Sequence, residues 1–430
     1  MLLRFAVENH LSIKEKQELS LVASSLKDRE EGLIASNAAP GKRVLPAAVI
    51  YGANASGKTN LLRALGFMRG AVLFSHNRGE PGERIPRSPF RLDPACADAP
   101  STFELDFVVE GERYHYGFEA LDDAFQSEWL YAFPSTSNRR QMLFERKAGE
   151  AIAFDFGRGL KGRNRVIADL TRPNSLFLST AAQNNHEQLS PVARFFSEIR
   201  TAFDIDTPGP LLSRLLSDGD MDPRVIEFLK KIGTGIVGFE RREEELPEEA
   251  RTFSKALAAA FATVDKKPPQ LDLEQKNTDI FLELAHQDCY GNPVYFDVGE
   301  ESAGTQRLLG VLGRVYRVLD KGDLLVIDEL DASLHTQASE AVLALVSSAA
   351  LNPKGAQLIA TTHDTNLLRS EFLRRDQIWF TEKDEGGATH LYPLSDFSTR
   401  KGDNIEKGYL QGRFGAIPFA GSAADLLADG

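Results

Sequence analysis

Over the first half of the chain, apolar residues fall in short runs or alternate with polar ones. "LLRFAV" (2–7) and "LPAAVIY" (45–51) read as strands, and "TFELDFVVEGERYHYGFEA" (102–120) alternates on both sides of Glu110 and Gly111, as a hairpin does. From Leu189 to Val264 the period lengthens. "LSPVARFFSEIRTAF", "PRVIEFLKKIGTGI" and "ARTFSKALAAAFATV" carry apolar residues at helical spacing, broken by Pro, Gly and Asp clusters, and predict a helical insertion over 189–265. Within it the acidic "ERREEELPEEA" (240–250) reads as a solvated face or loop. A second hairpin pattern, "TDIFLELAHQDCYGNPVYFDV" (278–298), follows. Then come "DLLVIDE" (323–329), a helix from about Ser333 to Ala350, "AQLIATTHD" (356–364), "DQIWFTEKD" (376–384) and "THLYPLSDF" (389–397). Apolar strands alternating with helices predict a mostly parallel, buried sheet in an α/β fold, with an added antiparallel β subdomain in the first half. The expected organisation is 1–188 as the first part of one domain, 189–265 as the insertion, and 266–430 as the return to that domain.

Composition adds exclusions. At 430 residues, 42% hydrophobic and 26% charged, the chain is an ordinary globular protein large enough for an interrupted domain. Fifty basic against 62 acidic side chains, a formal charge of -12, argue against a surface that coats nucleic acid indiscriminately, while a local basic patch stays open. Cys96 and Cys289 are the only cysteines, which excludes a disulfide framework and a zinc-type spacing. The start, "MLLRFAVENH", has no cleavable apolar segment and nothing later is long enough to span a membrane, so a cytoplasmic location and no membrane partner are expected.

Candidate chemistry begins at "YGANASGKTNLLRAL" (51–65). Gly52, four residues, then Gly57, Lys58 and Thr59 stand between a strand and a helix whose inner side carries Leu61, Leu62, Ala64, Leu65 and Met68. Glycine lets successive N–H groups converge on phosphate oxygens, and the helix N-terminus adds partial positive charge. The residues Gly52, Asn54, Ala55, Ser56, Gly57, Lys58, Thr59 and Asn60 are thus expected to bind nucleotide, Lys58 reaching the β and γ phosphates and Thr59 the magnesium ion. The alternative is a glycine-rich turn that binds nothing.

"DLLVIDELDASLH" puts Asp328 and Glu329 at the C-terminal edge of an apolar strand, where open α/β sheets bind ligands. Asp328 is expected to hold magnesium and Glu329 to polarise a water for attack on the γ phosphate; a helix cap is the plain alternative. One strand later, His363 follows Thr361 and Thr362 on the same rim and can donate to the γ phosphate. Ser302 is a good N-cap for a helix with the apolar face Leu308, Val311, Leu312, Val315 and Leu319, and Gly304 leaves its first-turn N–H groups accessible to an anion.

"ESAGTQRLL" (301–309) resembles the signature motif of ABC-type ATPases, whose usual core is Ser-Gly-Gly-Gln; Ser302, Gly304 and Gln306 match, and Ala303 and Thr305 depart. The resemblance implies an ABC-type P-loop ATPase head that uses ATP and Mg2+. It also implies a homodimer or higher homo-oligomer, in which the signature of one copy closes over ATP held by the phosphate loop of another. "LDASLH" is similar to the loop that contacts the partner, with Asp331 as its acid; Gln183, which follows the apolar run "LFLST" (176–180) expected as a strand, resembles the magnesium-sensing glutamine, with Asn184 and Gln188 as nearby alternatives.

"RRDQIWFTEKD", "YPLSDF" and "GYLQGRFGAIP" (408–418) are similar to the end of a family of bacterial ABC-like AAA ATPases related to SMC heads and OLD nucleases. Its members include AbiL-like, Rlo-type and PARIS-type ATPase subunits of abortive-infection and other anti-phage systems. His10 stands where that family tends to carry an aromatic, and a nuclease domain is not expected after Asp364. The implied partners are a separate effector, a nuclease or toxin, and a DNA or phage-protein trigger. A RecF/SMC-like DNA-repair ATPase binding DNA across its dimer is the rival, and a scaffold that binds ATP without using it is a second. The basic clusters "NRRQMLFERK" (138–147) and "RGLKGRNR" (158–165) read as solvated surface or as phosphate contacts.

Overall fold

The computed structural model of the protein describes residues 1–36, 43–77, 80–149, 153–202, 221–245, 278–369 and 371–417. The chain divides into two compact units, Met1–Phe203 with Arg317–Gly430, and Asp204–Tyr316.

The first unit is built on a six-stranded sheet. Its strands run in the order Ile199–Ala202, Leu324–Ile327, Gln357–Thr361, Ala47–Gly52, Ile378–Lys383 and Thr389–Pro393. All neighbours are parallel except the last pair. The strands Ala47–Gly52, Leu324–Ile327 and Gln357–Thr361 are buried at every position, which is why they read as unbroken apolar runs. In a parallel sheet all C-terminal ends lie on one rim, so residues 52, 328 and 362 emerge together.

A seven-stranded antiparallel sheet supplies the rest of the core. It contains Leu2–Glu8 at the second position, next to the hairpin Ser101–Val109 and Glu112–Ala120, whose turn is Glu110 and Gly111 in left-handed conformation. The helix Lys58–Phe74 packs on both Ala47–Gly52 and Leu2–Glu8, burying Leu61, Leu62, Ala64, Leu65, Met68 and Val72. One continuous apolar cluster results, running from Phe103, Phe107 and Phe118 to Ile50 and Leu65. It holds the phosphate-loop helix in place by hydrophobic burial.

Three sequence expectations differ from what is observed. The run "LFLST" was expected as a strand, but Phe177–Gln183 is a helix with Phe177 to Ala181 all buried. A helix enclosed on every side has no polar stripe, and over so short a run its periodicity cannot be told from that of a buried strand. The helix Leu189–Ser197 and the strand Ile199–Ala202 belong to the first unit, the strand pairing in parallel with Leu324–Ile327. The change of period at Leu189 therefore marks a change of element type and not of unit. Within the second unit, Pro223–Lys231 is helical, capped by Asp222 through its bond from Arg224 N. However, Gly238–Glu245, Thr278–Gln287 and Pro293–Asp297 form a three-stranded antiparallel sheet, so the insertion is not purely helical. The expected helix over 250–264 lies outside the described residues.

Arg146, inside the basic cluster 138–147, is fully buried, so that cluster is not all solvated surface. Its guanidinium lies 3.6 Å from Glu128, also fully buried, and donates to the carbonyls of Ser175, Arg172 and Pro173. Glu128 accepts from Phe177 N, Leu178 N and Tyr116 Oη, satisfying the N-terminus of the helix Phe177–Gln183.

Candidate functional site

The phosphate loop has the backbone its sequence requires. Gly57 stands at the N-cap of the helix Lys58–Phe74 with φ 108°, and a Cβ there would lie 2.1 Å from Thr389 Oγ1. Ala55 is also left-handed, at φ 63°. No side chain caps this helix, so its first N–H groups keep their capacity for an outside acceptor. Asn54 and Ala55 are exposed, Ser56, Gly57 and Lys58 are buried, and Thr59 and Asn60 are half-buried.

Lys58 folds back over the loop. Its Nζ donates to Gly52 O at 2.8 Å and Ala53 O at 3.0 Å. Burial pulls its pKa below the usual lysine value, opposed by the negative charges of Asp328, Glu329 and Asp331. Two neutral carbonyls are modest partners for a desolvated ammonium, so phosphate oxygens would improve its surroundings.

A chain of hydroxyls supports the loop from behind. Ser56 Oγ lies 2.7 Å from Thr381 Oγ1, and Thr389 Oγ1 donates to Ser56 O at 2.9 Å. Ser12 Oγ meets Thr389 Oγ1 at 2.8 Å and accepts from Asn60 Nδ2 at 2.7 Å. None of Ser12, Thr381 and Thr389 stands out in the sequence, because each is a hydroxyl residue far along the chain from the loop. Their signal is only positional: Ser12 lies in the loop after the first strand, Thr381 within the strand Ile378–Lys383 and Thr389 at the start of the strand Thr389–Pro393.

The rim carries the acids and the histidine. Thr361 Oγ1 donates to Asp328 Oδ1 at 2.6 Å and accepts from Glu329 N at 2.7 Å, tying two adjacent strand ends together. Glu329 is exposed and holds φ 52°, a left-handed backbone uncommon for a non-glycine residue. Asp331 accepts the backbone N–H of His363 at 3.1 and 3.3 Å on its two oxygens. The His363 pKa lies below its usual value, first through partial desolvation and next through the charge of Lys58, against the pull of Asp331, Glu329 and Asp328. Lys58, Asp328, Glu329, Asp331 and His363 therefore share one electrostatic neighbourhood.

The other expected site residues each have their own surroundings. Gln183 ends a helix with its side chain exposed. Ser302, Gly304 and Gln306 lie in the second unit. There Ser302 Oγ accepts from Thr305 N at 3.2 Å, the N-cap expected for the helix Ala303–Lys321, and Thr305 Oγ1 lies 2.9 Å from Ser302 Oγ. Gln306 Nε2 donates to Glu301 O at 2.8 Å. His10 is a core residue, tilted against Phe67 at 5.2 Å and edge-on to Phe103 at 5.1 Å between centroids.

Among the described residues no three His, Cys, Asp or Glu side chains converge as a metal cluster. A divalent ion here would rest on Thr59, Asp328 and phosphate oxygens, the kind of shell Mg2+ prefers. Also among the described residues, no helix is long and apolar enough to cross a membrane.

A glycine-bearing loop joining a parallel strand to an uncapped helix, with strand-end carboxylates beside its lysine, defines a P-loop nucleotide-binding site. A family model described as "AAA domain, putative AbiEii toxin, Type IV TA system" matches residues 47–369, and the chain belongs to that family. No curated protein matches. Among solved structures, the chain is similar to the Smc head domain with an extended coiled coil, bound to the C-terminal domain of ScpA, from Pyrococcus furiosus. Identity is 12%, TM-score 0.36, and 96% of this chain and 99% of that chain are covered.

Proposed function

We propose that the protein binds ATP with Mg2+, hydrolyses it, and serves as the sensor or scaffold subunit of a bacterial anti-phage defence system. Nucleotide-dependent pairing of heads controls a separate effector, a nuclease or toxin, in response to DNA or a phage protein. The single observation that carries the ATPase reading is Lys58, a buried ammonium held by loop carbonyls in the shared field of Asp328, Glu329 and Asp331. The defence role rests on the family and on the resemblance of the C-terminal segments.

In this reading the loop N–H groups and Lys58 bind the phosphates, and Thr59 and Asp328 hold the metal. A bound Mg2+ would supply charge neutralisation to the phosphates. Glu329 accepts the proton of the attacking water, and His363, kept neutral, donates to the γ phosphate. Ser302, Gly304 and Gln306 of a second copy complete the pocket, with Asp331 at the junction. The experiment is mass measurement and phosphate release for wild type and Glu329→Gln with Mg2+ and ATP. The variant is expected to accumulate as an ATP-bound pair without turnover. Unchanged mass, with no turnover in either protein, would leave only the non-hydrolysing scaffold.

One observation favours the DNA-repair reading: Arg139, Arg158, Lys161, Arg163 and Arg165 are exposed and form no ion pair among the described residues. Strong, salt-sensitive DNA binding enhanced by ATP, with no partner protein present, would favour it.

A further inference from the structure

Tyr51, the residue before the phosphate loop, is 1% exposed, and its hydroxyl is buried with no hydrogen-bond partner among the described residues. Its ring is fixed by Tyr409 and Phe380, with centroids at 6.1 and 6.3 Å. Phenylalanine would fill this space without leaving a polar atom unpaired, so an idle hydroxyl is a standing cost.

Its surroundings point to what the hydroxyl could meet. Thr362 N donates to Ile50 O, which pins the start of the His363 loop to the residue before Tyr51. Tyr409 belongs to the helix Ile405–Leu410, which packs on the turn Thr365–Arg369 just after that loop, with an ion pair from Arg369 to Glu406. Tyr51 thus lies under the segment carrying His363 and Asp364. The negative charges of Asp364 and then Asp331 both act on its hydroxyl, adding to the effect of burial in raising its pKa. The Asp364 carboxylate is engaged elsewhere, accepting from Thr336 Oγ1 at 2.5 Å and from Asn366 N at 3.0 Å.

We infer that Tyr51 is a positioning residue: its O–H is held in reserve in the empty head and donates to the Asp364 carboxylate once nucleotide is bound, locking the loop that aims His363. A phosphate-site event would then be read at the base of the rim and passed to the C-terminal helix through Tyr409. The inference deepens the ATPase reading and rests on it.

The test is Tyr51→Phe in the full chain, with three measurements. Melting temperature without nucleotide is expected to stay equal or rise, because an unpaired hydroxyl is removed. The increase in melting temperature caused by Mg2+ and ATP is expected to shrink. Turnover is expected to fall about tenfold, the range of one hydrogen bond to a charged group, with half-saturating ATP unchanged. Asp364→Asn added to Tyr51→Phe is expected to produce little further loss of turnover, as for two residues acting through one contact. A lower melting temperature without nucleotide means the hydroxyl is already paired, for example to a buried water, and overturns the inference. So does a variant whose turnover and ATP response match wild type, or a double variant in which the two losses multiply. Wild type that responds to ATP in neither measurement overturns the ATPase reading itself, a separate outcome.

Discussion

Asp331 takes the backbone N–H of His363 on both carboxylate oxygens, so the acid after the Asp328–Glu329 pair sets where the histidine loop begins. The two residues are 32 apart in sequence and belong to the ends of adjacent parallel strands. Any movement of Asp331 would therefore be felt at the backbone of His363.

Asp331→Ala removes that acceptor. Turnover is expected to fall about tenfold with half-saturating ATP little changed, and Asp331→Asn should retain more activity because one carbonyl oxygen can still accept. Steady-state kinetics on both variants is the check. A large rise in half-saturating ATP with normal maximal turnover would mean that Asp331 serves binding and not the rim.

If one pocket is completed by two copies, Lys58→Ala and Ser302→Ala are each expected to be inactive alone, while their mixture regains activity. With random exchange in a dimer, about a quarter of wild-type turnover is expected at equal amounts, since half the pairs are mixed and each has one intact pocket. No recovery in a mixture whose subunits demonstrably exchange would place both residues in one copy's own site.

His10 is expected to govern part of the acid sensitivity. Burial, and then the charge of Arg87, lower its pKa to about 4, so the folded chain keeps the ring neutral where the unfolded chain, near 6.5, already binds a proton. The unfolded state then binds more protons, and stability falls as pH drops from about 6.5 to 4, by about 3 kcal/mol over the whole range. His10→Phe, packing against Phe67 and Phe103, should remove this contribution. Urea midpoints at pH 7.5 and 4.5 measure it, and an identical pH dependence in the variant would refute the assignment.

Glu128→Ala is expected to lower stability by about 3–5 kcal/mol, because it strands the buried Arg146 guanidinium and two N–H groups at the start of the helix Phe177–Gln183. Glu128→Gln should cost less, since one acceptor oxygen remains. Chemical denaturation of both variants decides it, and a cost below about 1 kcal/mol for alanine would show that the network relaxes around the gap.

The hairpin at Glu110 and Gly111, the phosphate loop, the Asp328–Glu329 strand end and the Ser302 cap were legible because each is written in neighbouring residues. Alternation, a glycine pattern, or a carboxylate after four apolar positions states its own geometry. The helix Phe177–Gln183 was not legible, since complete burial erases the polar face by which a helix is recognised. Nor was the burial of Arg146, whose charge reads as surface until Glu128 and three carbonyls are brought to it from elsewhere in the chain.

The sequence alone therefore determined most strands of the parallel sheet, Ile199–Ala202 excepted, and which short motifs could hold phosphate, because those depend on backbone preference and spacing within a few residues. Only the tertiary structure decided that Thr361 joins Asp328 to Glu329, that Asp331 grips His363, that Ser12, Thr381 and Thr389 brace the loop, and that Tyr51 keeps an idle hydroxyl. Those contacts link separate strand ends and loops. Which side chains meet there follows from strand order and burial of the shared core, and neither is encoded in any one stretch of chain.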